Sequence, residues 1–135
     1  MLKKAALFAG VILALVGIAG FIPALTTKDE MDMTLLLGIF MVGGVHNIIH
    51  LLSGAAALFS SKSEVYALWY FRIFGLVYGL VTLIGFIQGD TVLGIIDVNT
   101  ADNFLHLGIS LVSLYLGFGV AASTTDAKPT STSSL

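Results

Sequence analysis

Apolar residues fill four stretches of the chain, and the polar ones collect between them and at a few stretch ends. A helix needs about 20 mostly apolar residues to cross a bilayer. The first stretch runs from about Ala5 to Leu25 and the second, shorter one from about Val45 to Phe59. The third runs from about Val65 to Ile87 and the fourth from about Asn103 to Ala121. They are too long and too continuously apolar for the alternating strands of a barrel. Only helices and closed barrels satisfy the backbone in lipid, so the pattern predicts an all-α fold, a four-helix transmembrane bundle. The segments 36–41 and 92–97 are too short to span. They are expected to fold back at the outer interface as partial helices or irregular loops.

The pattern occurs twice. Gly-Phe-Ile closes the first stretch at 20–22 and the third at 85–87. Leu-Leu-Gly-Ile-Phe at 36–40 precedes the second stretch, and Val-Leu-Gly-Ile-Ile at 92–96 precedes the fourth. Gly38 and Gly94 stand 56 residues apart, as do His50 and His106. This predicts two repeated helical hairpins, about 5–60 and 65–121, within a membrane domain of residues 1–122. Two-helix units keep their orientation, so an axis along the membrane normal should relate them. The start, "MLKKAALFAGVILALVGIAG", has the basic and apolar regions of a signal peptide. Its apolar run is long for one, and its kinship with helix three predicts that it is retained.

The repeat also carries the candidate chemistry. In "GGVHNIIHLLSG" (43–54) and "TADNFLHLGIS" (100–110), Asn47 matches Asn103, His50 matches His106, and His46 takes the place of Asp102. His46 and His50, like Asp102 and His106, are spaced i, i+4 and share a helix face. If the halves pair about an axis, the two clusters should meet. The expected role is structural: Asn99 or Thr100 caps one helix, Gly43 or Gly44 the other, and the polar side chains tie down loop carbonyls and amides without a cofactor. Two ligand alternatives use the same residues. A transition metal (zinc, copper or non-haem iron) would take His46, His50, His106 and Asp102. A b-type haem would sit between His50 and His106. A hydrolase on Asp102 and His106 lacks a nucleophile and an oxyanion hole, so the chain is expected to be non-enzymatic.

Small residues recur at four-residue spacing: Ala6, Gly10 and Ala14; Gly75 and Gly79; Ser113 and Gly117. They let helices approach closely, here within one chain. Arg72 is expected to snorkel, and Tyr78 and Tyr115 to hydrogen-bond to neighbouring helices.

Composition agrees with a membrane setting. The 135 residues are 57% hydrophobic and 10% charged, with mean hydropathy +1.01. Soluble domains carry about 25% charged residues. A net charge of −2 offers no field for nucleic acid, and the lack of cysteine rules out disulfides and thiolate sites. Lys3, Lys4, Lys62, Arg72 and Lys128 fall on one side and Lys28 alone on the other. The positive-inside rule then predicts a multi-pass plasma-membrane protein with both termini cytoplasmic. Its expected partner is the lipid bilayer, with a homo-oligomer or a larger membrane complex as further options. Residues 123–135 are small and polar and are expected to be a disordered tail.

The motifs "HNxxHL" (His46, Asn47, His50, Leu51) and "DNxLHL" (Asp102, Asn103, Leu105, His106, Leu107), with the Gly-Phe-Ile and Leu-Gly-Ile elements, resemble the bacterial membrane family catalogued as domain of unknown function 4383. The resemblance runs from about Gly10 to Gly117. It implies a four-helix integral membrane protein and brings no activity. In one respect the chain departs from the family pattern, which has an Asn before the first motif: "VGG" stands there, while Asn99 is present in the second copy.

Overall fold

The computed structural model describes residues 1–120. Four helices carry the fold: α1 (Leu2–Ala19), α2 (Gly44–Ser60), α3 (Glu64–Gln88) and α4 (Thr100–Leu114). A π-helical turn, Tyr115–Gly119, extends α4. Two of the helices, α1 and α3, are long and apolar enough to cross a membrane, and α2 is a shorter apolar helix. The tail expected over 123–135 lies outside the described residues.

α1 pairs with α2, and α3 with α4, far more closely than either pair contacts the other. Glycines set these approaches. A Cβ on Gly10 would lie 2.8 Å from Leu58 Cγ and 2.9 Å from the Leu58 nitrogen. On Gly54 it would lie 2.8 Å from the Ala14 nitrogen, and on Gly75 2.9 Å from Leu114 Cγ. The contacts run Gly10 to Leu58, Ala14 to Gly54 and Gly17 to Leu51, so the pair is antiparallel; Gly75 to Leu114 and Gly79 to Ser110 repeat this in α3 and α4. The small residues therefore pack within the chain. Where Gly54 fits against α1, Ser110 stands 56 residues later and donates to the Gly75 carbonyl at 2.7 Å.

The connections differ from the expectation of partial helices or irregular loops. The first is a short 3-10 turn (Pro23–Leu25) followed by the strands β1 (Thr26–Lys28), β2 (Thr34–Leu36) and β3 (Phe40–Met41), paired antiparallel. The second is an antiparallel pair, β4 (Thr91–Val92) and β5 (Ile96–Asp97). Each Leu-Gly is the centre of a turn. Leu37 and Gly38 have φ 53° and 71°, Leu93 and Gly94 φ 54° and 68°. The turns close through Ile39 N–H to Leu36 O and Ile95 N–H to Val92 O, both 3.1 Å. Left-handed φ at both central residues is the mark of the mirror-image turn that suits strand twist. Glycine takes that conformation freely, whereas leucine is strained in it.

The strands lie at one end of the helices. At the other, Glu64 accepts from the Met1 ammonium at 2.8 Å and from Leu2 N–H at 3.1 Å. The bond from the ammonium holds the exposed Glu64 carboxyl below its ordinary range. Between the helix pairs lie two apolar grooves of about 570 and 560 Å³, one along α2 and α3, the other between α1 and α4; neither is lined by a histidine.

Two side chains behave differently from expectation. Arg72 does not snorkel free: its Nε donates to the Gly117 carbonyl at 2.8 Å, and its guanidinium lies over Trp69 and Phe118. That carbonyl belongs to the π-helical turn, where the α-helical bonding pattern is interrupted. Tyr78 does reach a neighbouring helix, donating to Ser53 Oγ at 3.3 Å, but Tyr115 faces outward, 67% exposed.

Candidate functional site

The polar residues singled out from the repeat are all buried at the strand end of the helices. His46, Asn47 and His50 come from α2, and Asp102, Asn103 and His106 from α4. The helix starts place them. Asn99 caps α4 in a capping box, its Oδ1 accepting from Asp102 N–H at 3.0 Å while Asp102 Oδ2 accepts from Asn99 N–H at 3.0 Å. Gly43 caps α2 without a side chain. A Cβ there would strike the Asp97 carboxylate, so at the start of α2 Asp97 fills the space that a capping side chain would take. That accounts for glycine at position 43, where the start of α4 has Asn99.

The two hairpins reach across to one another in matching ways. Met41, at the end of β3, donates its N–H to Asp102 Oδ2 at 2.9 Å. Asp97, 56 residues after Met41, offers its backbone carbonyl to His46 Nδ1 at 2.8 Å. His46 itself stands 56 residues before Asp102. Each strand end thus bonds the first-turn polar residue of the opposite helix. Asn99 Nδ2 adds a bond to the Ile39 carbonyl at 2.8 Å. A carbonyl only accepts, so His46 Nδ1 carries the proton and its Nε2 the lone pair.

Three imidazoles meet in the middle. Ring centroids are 4.7 Å apart for His46 and His50, 5.5 Å for His46 and His106, and 5.8 Å for His50 and His106, with interplanar angles of 78°, 59° and 86°. One ring nitrogen from each lies within 4.8 Å of the others. Tyr78 walls the group, its ring edge-on to His106 at 5.4 Å. His46 Nε2 and both ring nitrogens of His50 and His106 are buried without a hydrogen-bond partner. Such orphans are uncommon, because an unsatisfied buried polar group keeps its desolvation cost.

The placement refines the six candidates. The three histidines converge. Asp102 lies outside that group: its Oδ2 accepts from Met41 and Asn99, and among the described residues the metal-capable cluster consists of the three histidines. Asn47 and Asn103 pack against Gly20 and Gly85, where any Cβ would collide with the amide; their Oδ1 atoms are buried without partners. Sequence reading missed Met41, Ile39 and the Asp97 carbonyl, because backbone groups leave no trace in residue type. The link between Asn47 and Gly20, and between Asn103 and Gly85, was visible: each glycine opens one of the repeated Gly-Phe-Ile elements.

Fold and site together define a protein of two helical hairpins whose connecting strands clasp the opposite hairpin beside a buried histidine triad. The chain belongs to the family described as Domain of unknown function (DUF4383), which matches residues 3–119. No curated protein and no solved structure matches it.

Proposed function

We propose that the chain is a small non-enzymatic membrane module that crosses the bilayer four times as two repeated hairpins, fastened together by the polar cluster on the outer side. One observation carries this: polarity is inverted. The interior holds His46, Asn47, Asp102, Asn103 and Ser110, each at most 3% exposed, while Phe8, Leu15, Leu52, Phe104 and Ile87 stand 60–75% exposed. In water that arrangement would waste apolar surface and bury polar groups at a cost. In lipid it is the expected one, because polar side chains turn inward and find partners. At 1.5 Å per residue, α1 and α2 each reach about 26 Å, close to the ~30 Å hydrocarbon core. α4 with its π-helical turn is of similar length. The two lateral grooves would then hold acyl chains.

The cluster's bonds go to backbone groups of the opposite half, which is what a structural fastening requires. Lys3, Lys4 and Lys62 at the other end favour a cytoplasmic position for the N-terminus and the 60–64 loop. The exposed apolar faces leave room for a homo-oligomer or a larger membrane complex. Alkaline carbonate extraction of membranes from expressing cells tests the setting. The chain should stay in the pellet and be released by detergent; release by carbonate alone would overturn the proposal.

A further inference from the structure

We propose that His46, His50 and His106 form a three-imidazole site for a single copper ion in its cuprous state. This goes beyond the structural fastening, which uses only His46 Nδ1 and leaves five ring nitrogens of the triad unexplained.

The geometry is that of a preformed ligand set. All three rings are at most 6% exposed, and they come from both hairpins. Their edges converge, and their donor atoms lie within 4.8 Å of one another. A trigonal ion about 2.0 Å from each nitrogen needs nitrogens about 3.5 Å apart, which a modest inward turn of the rings supplies. The His46 tautomer is already set. Its Nδ1–H is held by the Asp97 carbonyl, which directs the lone pair of Nε2 into the triad. A backbone carbonyl on the distal ring nitrogen is the usual outer support of a metal-bound histidine. Each of the other two neutral rings also carries one lone pair and one N–H.

The donor chemistry selects the ion. Imidazole binds zinc, copper, iron and nickel. Here the converging donors are three imidazoles with no carboxylate among them. The ion's charge is therefore uncompensated within the set, and the penalty for burying charge grows with its square. A monovalent ion is favoured over a divalent one, and copper is the member of that group with an accessible monovalent state. Haem does not suit the site: His46 lies 4.7 and 5.5 Å from the other two rings and fills the gap a porphyrin would need.

The test is anaerobic titration of the full chain in detergent with cuprous ion held by bicinchoninate, beside a zinc titration against a zinc chelator. One equivalent of copper should pass to the protein, with zinc bound at least 100-fold more weakly. His50→Gln and His106→Gln should each weaken copper binding at least 100-fold, with circular dichroism and gel-filtration elution unchanged. X-ray absorption on the loaded wild-type protein gives an answer even if both variants misfold. Three nitrogen neighbours with imidazole scattering support the site. Sulfur neighbours in place of the three nitrogens would put the copper on methionine rather than on the triad and overturn it. No copper uptake, tighter zinc than copper, or full uptake by folded variants would each overturn it as well.

Discussion

Replacing Asp102 by alanine removes the acceptor at which the two hairpins meet. Asp102 is 2% exposed, and one oxygen, Oδ2, receives Met41 N–H at 2.9 Å and Asn99 N–H at 3.0 Å. Alanine leaves both donors without that acceptor, and the Met41 group is buried. An unsatisfied buried donor costs about 1–3 kcal/mol. The Asn99 group is only part-buried and belongs near the low end. The sum is about 2–4 kcal/mol, a large share of a typical ~5–15 kcal/mol stability. Asp102→Asn keeps an oxygen in place and loses only the charge, so it should cost about 1 kcal/mol. Asp90→Ala, at an exposed position, is the reference and should stay within about 0.5 kcal/mol of wild type. Reversible unfolding in mixed micelles of rising dodecyl sulfate content, followed by the single tryptophan, Trp69, measures all three. An Asp102→Ala cost no larger than that of Asp90→Ala would refute the clasp.

Other outcomes follow from the same contacts. Gly10→Ala should destabilise by about 1–3 kcal/mol, since its Cβ meets Leu58 backbone. Gly108→Ala, with nothing within 4 Å, should stabilise by about 0.5–1 kcal/mol through helix propensity; micelle unfolding of both variants checks the pair. Leu93→Asn relieves a left-handed leucine at φ 54° and should raise stability by about 1 kcal/mol, read as a higher unfolding midpoint. Glu64 has a lowered folded-state pKa, so its contribution is present above the ordinary glutamate range and fades as pH falls through and below it. Glu64→Gln should therefore lower stability slightly at neutral pH, change little in acid, and so flatten the acid side of a stability-against-pH curve.

Long apolar runs and their polar breaks placed α2 and α3 to within a residue, at Gly44–Ser60 and Glu64–Gln88, whereas α1 ends at Ala19 rather than Leu25 and α4 starts at Thr100 rather than Asn103. The meeting of the histidines was legible too, from the 56-residue spacing alone. The strands were not: pieces of two or three residues are too short to show an alternating pattern. Nor did the side-chain pattern reveal which backbone groups His46 and Asp102 would bond: the Asp97 carbonyl, and the Met41 and Asn99 N–H groups. Tyr115 looked like a buried tyrosine because the face of a helix that meets lipid and the face that meets protein are equally apolar in sequence.

The central claim, that the chain crosses a membrane four times with the strand connections outside, is tested most directly by cysteine labelling, since the chain has no native cysteine. Met31→Cys and Ile95→Cys sit at exposed positions in the two strand connections, and Lys62→Cys sits in the loop at the opposite end. In intact cells a membrane-impermeant maleimide should label the first two, and Lys62→Cys only after permeabilisation. Labelling of Lys62→Cys together with Ile95→Cys in intact cells, or a difference between Met31→Cys and Ile95→Cys, would contradict it.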